Sequence, residues 1–177
     1  MGAGVLPFCF INGKLNLLFG KERDIDENPG WSDFGGGTDP GETYLETAAR
    51  ECSEEISGFL GSSSQIKSML KKNGYINVFL PNPQNNKKGY MVFLTPIDYD
   101  EKLVEYFNIH QEFIHKKMDK QTIKKSKLFE KTEIKWFPVS SLKKNKNKFR
   151  NFYKKIVQIL IDNEKVLIQD CKKLISK

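Results

Sequence analysis

Residues 36–58 carry the side chains whose types and spacing point most clearly to chemistry. Five residues separate Gly36 from Glu42, and seven more lead to the run Arg50-Glu51-Cys52-Ser53-Glu54-Glu55. On a helix, Glu51 lies three and four positions before the other two glutamates of the run, so all three carboxylates project from adjoining parts of one face. Carboxylates this close repel one another, and hard oxygen ligands in such number suit Mg²⁺ or Mn²⁺. The segment therefore predicts a divalent-metal site.

Arg50 and the glycines before the helix add to this prediction. The chain has 26 lysines and only three arginines, and one of these arginines stands beside the glutamates. A guanidinium is a planar fork that holds a carboxylate at two points, which an ammonium cannot do. Glycine lets the backbone come close to a metal or a phosphate, where a side chain would obstruct it.

The same residues resemble the box of the Nudix hydrolase family, written Gly-x5-Glu-x7-Arg-Glu-U-x-Glu-Glu-x-Gly-U, where U is a bulky apolar residue. Six residues match in type and spacing: Gly36, Glu42, Arg50, Glu51, Glu54 and Glu55. Cys52 takes the first apolar place. Ser57 replaces the final glycine and Gly58 the last apolar residue, as if the terminating glycine had moved by one position. This departure affects the loop and leaves the carboxylates in place.

The resemblance implies a role for each matching residue. Glu51, Glu54 and Glu55 would bind the metal, with the backbone carbonyl of Gly36 as a further ligand. Arg50 and Glu42 would brace the loop against the helix. In the family such metals bridge a diphosphate, activate a water and neutralise the leaving phosphate, which agrees with the physics of metal-assisted phosphoryl transfer.

The general base has two candidates by this resemblance. Glu54 would act on water, or a glutamate of a later loop would do so, for which Glu133 is assigned and Glu130 is the alternative. The predicted catalytic residues are thus Glu54, Glu51, Arg50 and Glu133. His110 and His115 are expected on the surface of a helical insertion.

Three residues are assigned to substrate binding. Trp31 and Phe34 would stack on a base, as Trp136 also could, and Lys135 would contact phosphate. For each aromatic residue, packing in the core is the alternative.

The box specifies the bond that is cut and leaves the substrate open. The family acts on nucleoside triphosphates, nucleotide sugars, dinucleoside polyphosphates, capped RNA and diphosphoinositol polyphosphates. Residues 116–148 hold twelve lysines. If they face the site, a capped RNA 5′ end, and hence RNA decapping, or a diphosphoinositol polyphosphate is expected, and otherwise a small nucleotide. A non-catalytic cap- or nucleotide-binding module is the alternative from another class.

Strands and helices alternate along the chain, as an α/β fold requires. Residues 5–10 and 15–19 are apolar runs joined by Asn12-Gly13, which favours a hairpin with a type I′ turn. A short strand is predicted over 31–34, a helix over 43–57, and strands over 66–80, 90–95 and 134–137, with a loop over 81–88. The hairpins favour a mixed sheet. With the resemblance, the fold class is a Nudix-type α/β/α sandwich.

The second half of the chain adds helices to this plan. Helical spacing predicts an insertion over residues 99–128 and a C-terminal extension over 149–175 that is broken near Asp162-Asn163. We expect one domain over residues 1–177, since the length suffices for one substantial core.

Composition excludes several other classes of protein. Cys9, Cys52 and Cys171 show neither a disulfide framework nor a zinc spacing. The apolar run at 5–11 is too short for a signal peptide or a membrane span, so we expect a cytoplasmic protein without membrane contact.

The net charge is +7, yet residues 22–55 hold eleven acidic and two basic residues. An acidic centre in a basic shell suits a polyanionic substrate bridged by cations, although AT-rich codon usage also explains the lysines. The sequence does not decide between a monomer and a homodimer.

Overall fold

The chain begins with a β-hairpin. Strands β1 (Gly2–Ile11) and β2 (Lys14–Glu22) pair antiparallel. Asn12 and Gly13 connect them with φ of 50° and 74°, and a type I′ turn needs positive φ at both positions. The predicted hairpin is confirmed. This computed structural model describes residues 1–23, 29–125 and 129–176.

The described residues contain seven strands in one mixed sheet. Its main path runs β3-β2-β1-β6-β5, with β4 paired to β1 and β7 paired to β2. The remaining strands are β3 (Trp31–Ser32), β4 (Phe34–Gly37), β5 (Ile76–Asn82), β6 (Asn85–Pro96) and β7 (Lys131–Pro138). Strands β1 and β6 run parallel, and the other pairs are antiparallel. Strand β1 pairs with β4 through its first half and with β2 through its second half, which places the glycines of β4 next to the centre of the sheet.

Helices cover both faces of the sheet. On one face lie α1 (Tyr44–Glu55), α2 (Ser63–Asn73) and α3 (Glu101–Lys117), which share a core with Leu18 and Phe34. On the other face lie α6 (Tyr153–Asp162) and α7 (Glu164–Ile175), which share a core with Leu17 and Phe19. Successive residues of β2 thus serve opposite faces, as the period of two in a strand requires. The α/β/α sandwich is confirmed.

The prediction of a strand over 66–80 is wrong for its first part. Residues Ser63–Asn73 form helix α2, because Ser62 and Gln65 build a capping box at its start and Ile66 and Leu70 are buried one turn apart. Strand β5 begins only at Ile76. The loop predicted over 81–88 is also shorter, because β5 continues to Asn82 and β6 starts at Asn85.

The helical predictions for the second half agree with the structure where it is described. Within 99–128 lie α3 and α4 (Lys120–Lys125), and residues 126–128 are outside the described ranges. Between β7 and α6 runs a short helix, α5 (Leu142–Asn145). Helices α6 and α7 are separated at Asn163, close to the predicted break. Within these ranges, each helix is too short or too polar to cross a bilayer.

Candidate active site

Helix α1 is fixed at its start by a capping box and along one face by the core. Thr43 accepts a hydrogen bond from the backbone N–H of Glu46, and Glu46 accepts one from the N–H of Thr43. Ala48, Ala49 and Cys52 are buried against the sheet. The helix is therefore a rigid support for the glutamates on its other faces.

Arg50 ties this helix to the loop before it. Its Nε and Nη2 donate to the two carboxylate oxygens of Glu42 at 2.8 and 3.0 Å. Nη2 also donates to the carbonyl of Gly37 at 3.0 Å, and Nη1 donates to Glu51 at 2.7 Å. The hydrogen bonds from Arg50 lower the pKa of Glu42 to about 2. One guanidinium thus holds a loop, a strand end and a helix in a single arrangement, which requires its planar fork.

Strand β4 can approach α1 so closely because it has no side chains there. A Cβ at Gly36 would lie 2.5 to 2.6 Å from the carboxyl group of Glu51, which real Cβ atoms do not tolerate. The neighbouring Gly35 donates its N–H to Glu55 at 2.7 Å. The glycine run therefore brings backbone polar groups against the carboxylates of the helix.

The three glutamates of the predicted metal site differ in their exposure. The side chain of Glu54 is 39% exposed, whereas that of Glu55 is 4% exposed. Burial raises the pKa of Glu51, and the hydrogen bond from Arg50 opposes that rise. Burial also raises the pKa of Glu55 well above its usual range, against the attraction of Lys131. The site therefore runs from an open carboxylate to a buried one.

Lys131 is the buried counter-charge at the inner end of the site. Its ammonium contacts Glu22, donates to Ser32 at 2.8 Å and lies 3.3 Å from Glu55. Burial alone would lower the pKa of Lys131, but the carboxylates of Glu55 and Glu22 raise it. Glu22 also accepts a hydrogen bond from Arg150 at 2.7 Å. Two cations of the chain thus partly neutralise the inner carboxylates.

The donor set fits a divalent cation. Glu22, Glu55 and Glu130 each offer an oxygen within 4.8 Å of the others, and Glu51 and Glu54 line the same cavity. Carboxylate oxygens are the ligands that Mg²⁺ and Mn²⁺ prefer. A bound cation would also offset the burial that raises the pKa of Glu51 and Glu55.

These groups surround a cavity of about 600 Å³, a volume that suits a small ligand. All three arginines of the chain, Arg23, Arg50 and Arg150, line it together with Gly35, Gly36 and Gly37. Its carboxylates are Glu22, Asp39, Glu51, Glu54, Glu55 and Glu130. Among the described lysines, none lines the cavity. The cationic lining is therefore built from guanidinium groups, although lysine is far more frequent in the sequence.

Five of the predicted site residues meet in this cavity: Gly36, Arg50, Glu51, Glu54 and Glu55. The structure does not bring Glu133 into the cavity, because this residue lies within β7 opposite Lys21. Glu130, just before that strand, lines the cavity in its place. His110 and His115 also lie outside the lining.

The three residues assigned to substrate binding are also elsewhere. Trp31 is buried, with its ring centroid 5.0 Å from that of Phe137. Phe34 is completely buried in the core beneath α1. Lys135 is exposed and lies over the ring of Phe137, on the face of the sheet that α6 covers. The structure thus does not bring these three residues into the cavity, since two pack in the core and the third is exposed outside it.

Sequence reasoning missed four contributors: Glu22, Lys131, Asp33 and Arg150. Each stands alone in the sequence without a spacing that marks it. Asp33 is buried below the glycines, where it accepts a hydrogen bond from Tyr90 at 2.9 Å, and burial raises its pKa to about 7. One feature of the sequence did point to such residues. Arginine is rare beside so many lysines, which suggested a specific role for Arg50, and all three arginines line the cavity.

Comparisons with known proteins agree with this geometry. A family model described as "NUDIX domain" matches residues 2–160. A protein of Acanthamoeba polyphaga mimivirus, described as "Uncharacterized protein L534", is 45% identical over 58 residues, which are 31% of this chain. That match covers 19% of the viral protein, so the chain spans only a small part of this relative.

Two solved structures share the fold over most of this chain. The C. elegans Ap4A hydrolase in a binary complex has a TM-score of 0.53 at 17% identity, over 94% of this chain and 96% of that one. A bifunctional NMN adenylyltransferase/ADP ribose pyrophosphatase from Francisella tularensis, complexed with AMP and Mn ion, has a TM-score of 0.55 at 15% identity. The second likeness covers 92% of this chain and 41% of that protein. At these identities the likeness concerns the fold alone.

Proposed function

We propose that this chain, which belongs to the family of NUDIX domains, hydrolyses phosphoanhydride bonds. Its proposed substrate is a nucleoside diphosphate joined to a second small group. The observation that carries this proposal is the single cavity in which three arginines face six carboxylates. Guanidinium groups bind phosphate oxygens at two points, and the carboxylates suit Mg²⁺ or Mn²⁺. A diphosphate bridged by such cations matches both parts of the lining.

The lining also favours a small nucleotide over the larger polyanions considered from the sequence. Of the lysines in residues 116–148, none that the structure describes lines the cavity. A capped RNA 5′ end or a diphosphoinositol polyphosphate would gain affinity mainly from such a basic surface. Two similar structures are named an Ap4A hydrolase and an ADP ribose pyrophosphatase, which suggests dinucleoside polyphosphates and ADP-ribose as the first compounds to test.

Glu54 is the proposed general base. It is more exposed than Glu51 and Glu55, and Arg50 Nη1 lies 3.6 Å from its carboxylate. A carboxylate in this position accepts the proton of a water that attacks phosphorus. The oxygen of that water forms a new bond to phosphorus, the bridging P–O bond breaks, and the leaving phosphate keeps its electron pair.

The remaining residues hold the phosphates and the loop. The divalent cation supplies Lewis acidity toward the phosphate oxygens and lowers the pKa of water when it is bound. Glu51 and Glu55 would hold it, with Glu22 and Glu130 at the inner end. Arg150 and Arg23 line the cavity, where their positive charges would attract the phosphates. Arg50 holds the end of β4 and the loop before α1 against the helix.

An activity panel with Mg²⁺ and with Mn²⁺ tests this proposal. It should compare ADP-ribose, dinucleoside polyphosphates, nucleotide sugars, nucleoside triphosphates, diphosphoinositol polyphosphates and capped RNA. We expect turnover of the first two classes, and a loss of about 100-fold or more in Glu54→Gln, since a positioned general base contributes about that factor. Glu105→Gln, on the exposed face of α3, is the matched control and should keep full activity.

Three results would contradict the proposal in different ways. Equal turnover by the wild type and Glu54→Gln would remove Glu54 as the base. Tight nucleotide binding without product would leave a non-catalytic binding module. Preferential hydrolysis of capped RNA that falls steeply as salt is added would identify capped RNA as the substrate instead. Such salt dependence is expected when a protein neutralises many phosphates.

A further inference from the structure

A second groove opens on the other side of the glycine strand. Its volume is about 460 Å³, and it shares Gly35, Gly36, Gly37 and Arg150 with the cavity of the carboxylates. The two spaces are therefore adjacent, with strand β4 and one arginine between them. The remaining walls come from the start of β1, from β5 and β6 next to the turn that joins them, and from the residues around the start of α6.

The lining of this groove has the opposite character from that of the first cavity. Its charged side chains are Arg150 and Lys155, and no acidic residue lines it within the described ranges. Leu80, Pro81, Tyr90 and Phe152 supply apolar and aromatic surface. A groove with cations, aromatic rings and no carboxylate suits a ligand that combines a phosphate with a flat ring.

Arg150 joins the two spaces. Its backbone N–H donates to the carbonyl of Trp31 at 3.1 Å, which fixes its position against β3. Its Nη1 donates to Glu22 on the side of the first cavity, and its Cζ lies 5.2 Å from the ring centroid of Phe152 in the groove. Its Nε is buried and has no hydrogen-bond partner among the described residues. The guanidinium therefore borders both spaces, with its positive charge beside Glu22 on one side and in the lining of the groove on the other.

Phe152 offers an aromatic surface that the fold holds in place. The ring is packed edge to face against Tyr90 and Tyr153, at centroid distances of 5.5 and 5.8 Å. Phe152 nevertheless stays 37% exposed. Tyr90 is itself anchored by its hydrogen bond to Asp33. A large apolar ring kept at the surface beside a cation is the arrangement by which proteins stack nucleobases.

We infer that this groove is the subsite for the nucleoside monophosphate half of the substrate, with the base on Phe152 and its phosphate between Arg150 and Lys155. The inference deepens the proposed function and rests on it. The diphosphate would then cross strand β4, where the glycines leave the backbone uncovered, and reach the carboxylates on the other side. The volume admits one nucleoside with its phosphate, so the second group of the substrate lies toward the first cavity.

Binding of AMP and of ribose 5-phosphate to the metal-free protein tests the subsite directly. The two probes share the phosphate and the ribose, and only AMP carries a base. By calorimetric titration we expect AMP to bind more tightly, and Phe152→Ala to weaken AMP about tenfold while ribose 5-phosphate is unchanged. Phe152→Leu keeps an apolar side chain against Tyr90 and serves as a second variant in case Phe152→Ala folds poorly. It should show the same selective loss of affinity for AMP.

The matched control removes another exposed phenylalanine that is far from the groove in sequence. Phe113, on α3, is 59% exposed and lines neither space, so Phe113→Ala should bind AMP like the wild type. Lys155→Ala should weaken both probes alike, because it acts on the phosphate. An affinity for AMP that is the same in Phe152→Ala, Phe152→Leu and the wild type would overturn the subsite.

Turnover separates a failure of the subsite from a failure of the proposed function. If the wild type hydrolyses ADP-ribose but Phe152→Leu leaves both KM and AMP binding unchanged, the subsite is wrong and the hydrolase stands. If AMP binding depends on Phe152 but no phosphoanhydride is cut, the subsite stands and the proposed function fails. If both hold, Phe152→Leu should raise KM for ADP-ribose about tenfold with little change in kcat.

Discussion

Replacement of Arg50 by lysine tests whether geometry, rather than charge, organises the active site. The guanidinium makes four hydrogen bonds: two to Glu42, one to the carbonyl of Gly37 and one to Glu51. These acceptors lie in the loop, in β4 and in α1, so they surround the arginine from three directions. The single nitrogen of lysine keeps the positive charge, but it cannot meet all three acceptors at once.

The size of the effect follows from the hydrogen bonds that are lost. We expect Arg50→Lys to keep about two of the four. A hydrogen bond to a charged group contributes about 1.5 to 3 kcal/mol when buried, and the side chain of Arg50 is 24% exposed. Discounting for solvent screening, the two lost bonds amount to about 2 kcal/mol. If all of this energy is lost from the stabilisation of the transition state, kcat/KM falls about 30-fold.

The assay combines urea unfolding with steady-state kinetics on the best substrate of the panel. Lys67→Met is the matched control, because it removes the surface ion pair between Lys67 and Glu46 on the same helix. Such an exposed pair contributes little to stability because solvent screens it, and its loss should leave kcat/KM unchanged. If Arg50→Lys matches the wild type in both stability and kcat/KM, the bidentate geometry is irrelevant and the reasoning is refuted.

Two further predictions concern the buried charges. Lys131→Met removes the ammonium that pairs with the buried carboxylates of Glu22 and Glu55, and it should lower the unfolding free energy by about 3 to 5 kcal/mol. Lys135→Met, which changes an exposed lysine of the same strand, is the control and should be nearly neutral. Equal losses of stability in the two variants would exclude the ion pairs as the cause. Burial raises the pKa of Asp33 from 3.8 to about 7, so the folded state holds this proton more tightly and Asp33 costs stability progressively as pH rises from about 4 to about 7. The stability gained by Asp33→Asn over the wild type should therefore grow across that window, by up to about 4 kcal/mol, and a constant difference would contradict the raised pKa.

The sequence predicted the outer half of the candidate active site because those residues are close in the chain. Arg50, Glu51, Glu54 and Glu55 follow one another on a single helix, whose geometry fixes their relative positions whatever surrounds it. The same logic predicted the Asn12-Gly13 hairpin, since a two-residue turn is a local structure. It failed for helix α2, where a capping box and two buried residues outweighed the apolar appearance of the segment.

The inner half of the site depends on contacts between distant segments. Glu22 contacts Lys131 and Arg150 across more than one hundred residues of sequence. These contacts form because β2 pairs with β7 and the segment before α6 hydrogen-bonds to β3. Trp31 and Phe34 show the same limit, since no local pattern says which face of a strand meets the core.

By itself, then, the sequence determined the family and placed three carboxylates on one helix, and it led to the proposal of a phosphoanhydride as the bond that is cut. All of these follow from local spacing. Only the tertiary structure decided that the three arginines meet in one cavity, that Lys131 is a buried counter-charge, and that an aromatic groove adjoins the glycine strand. These features depend on strand pairing and helix packing, which bring together side chains that are unrelated in sequence.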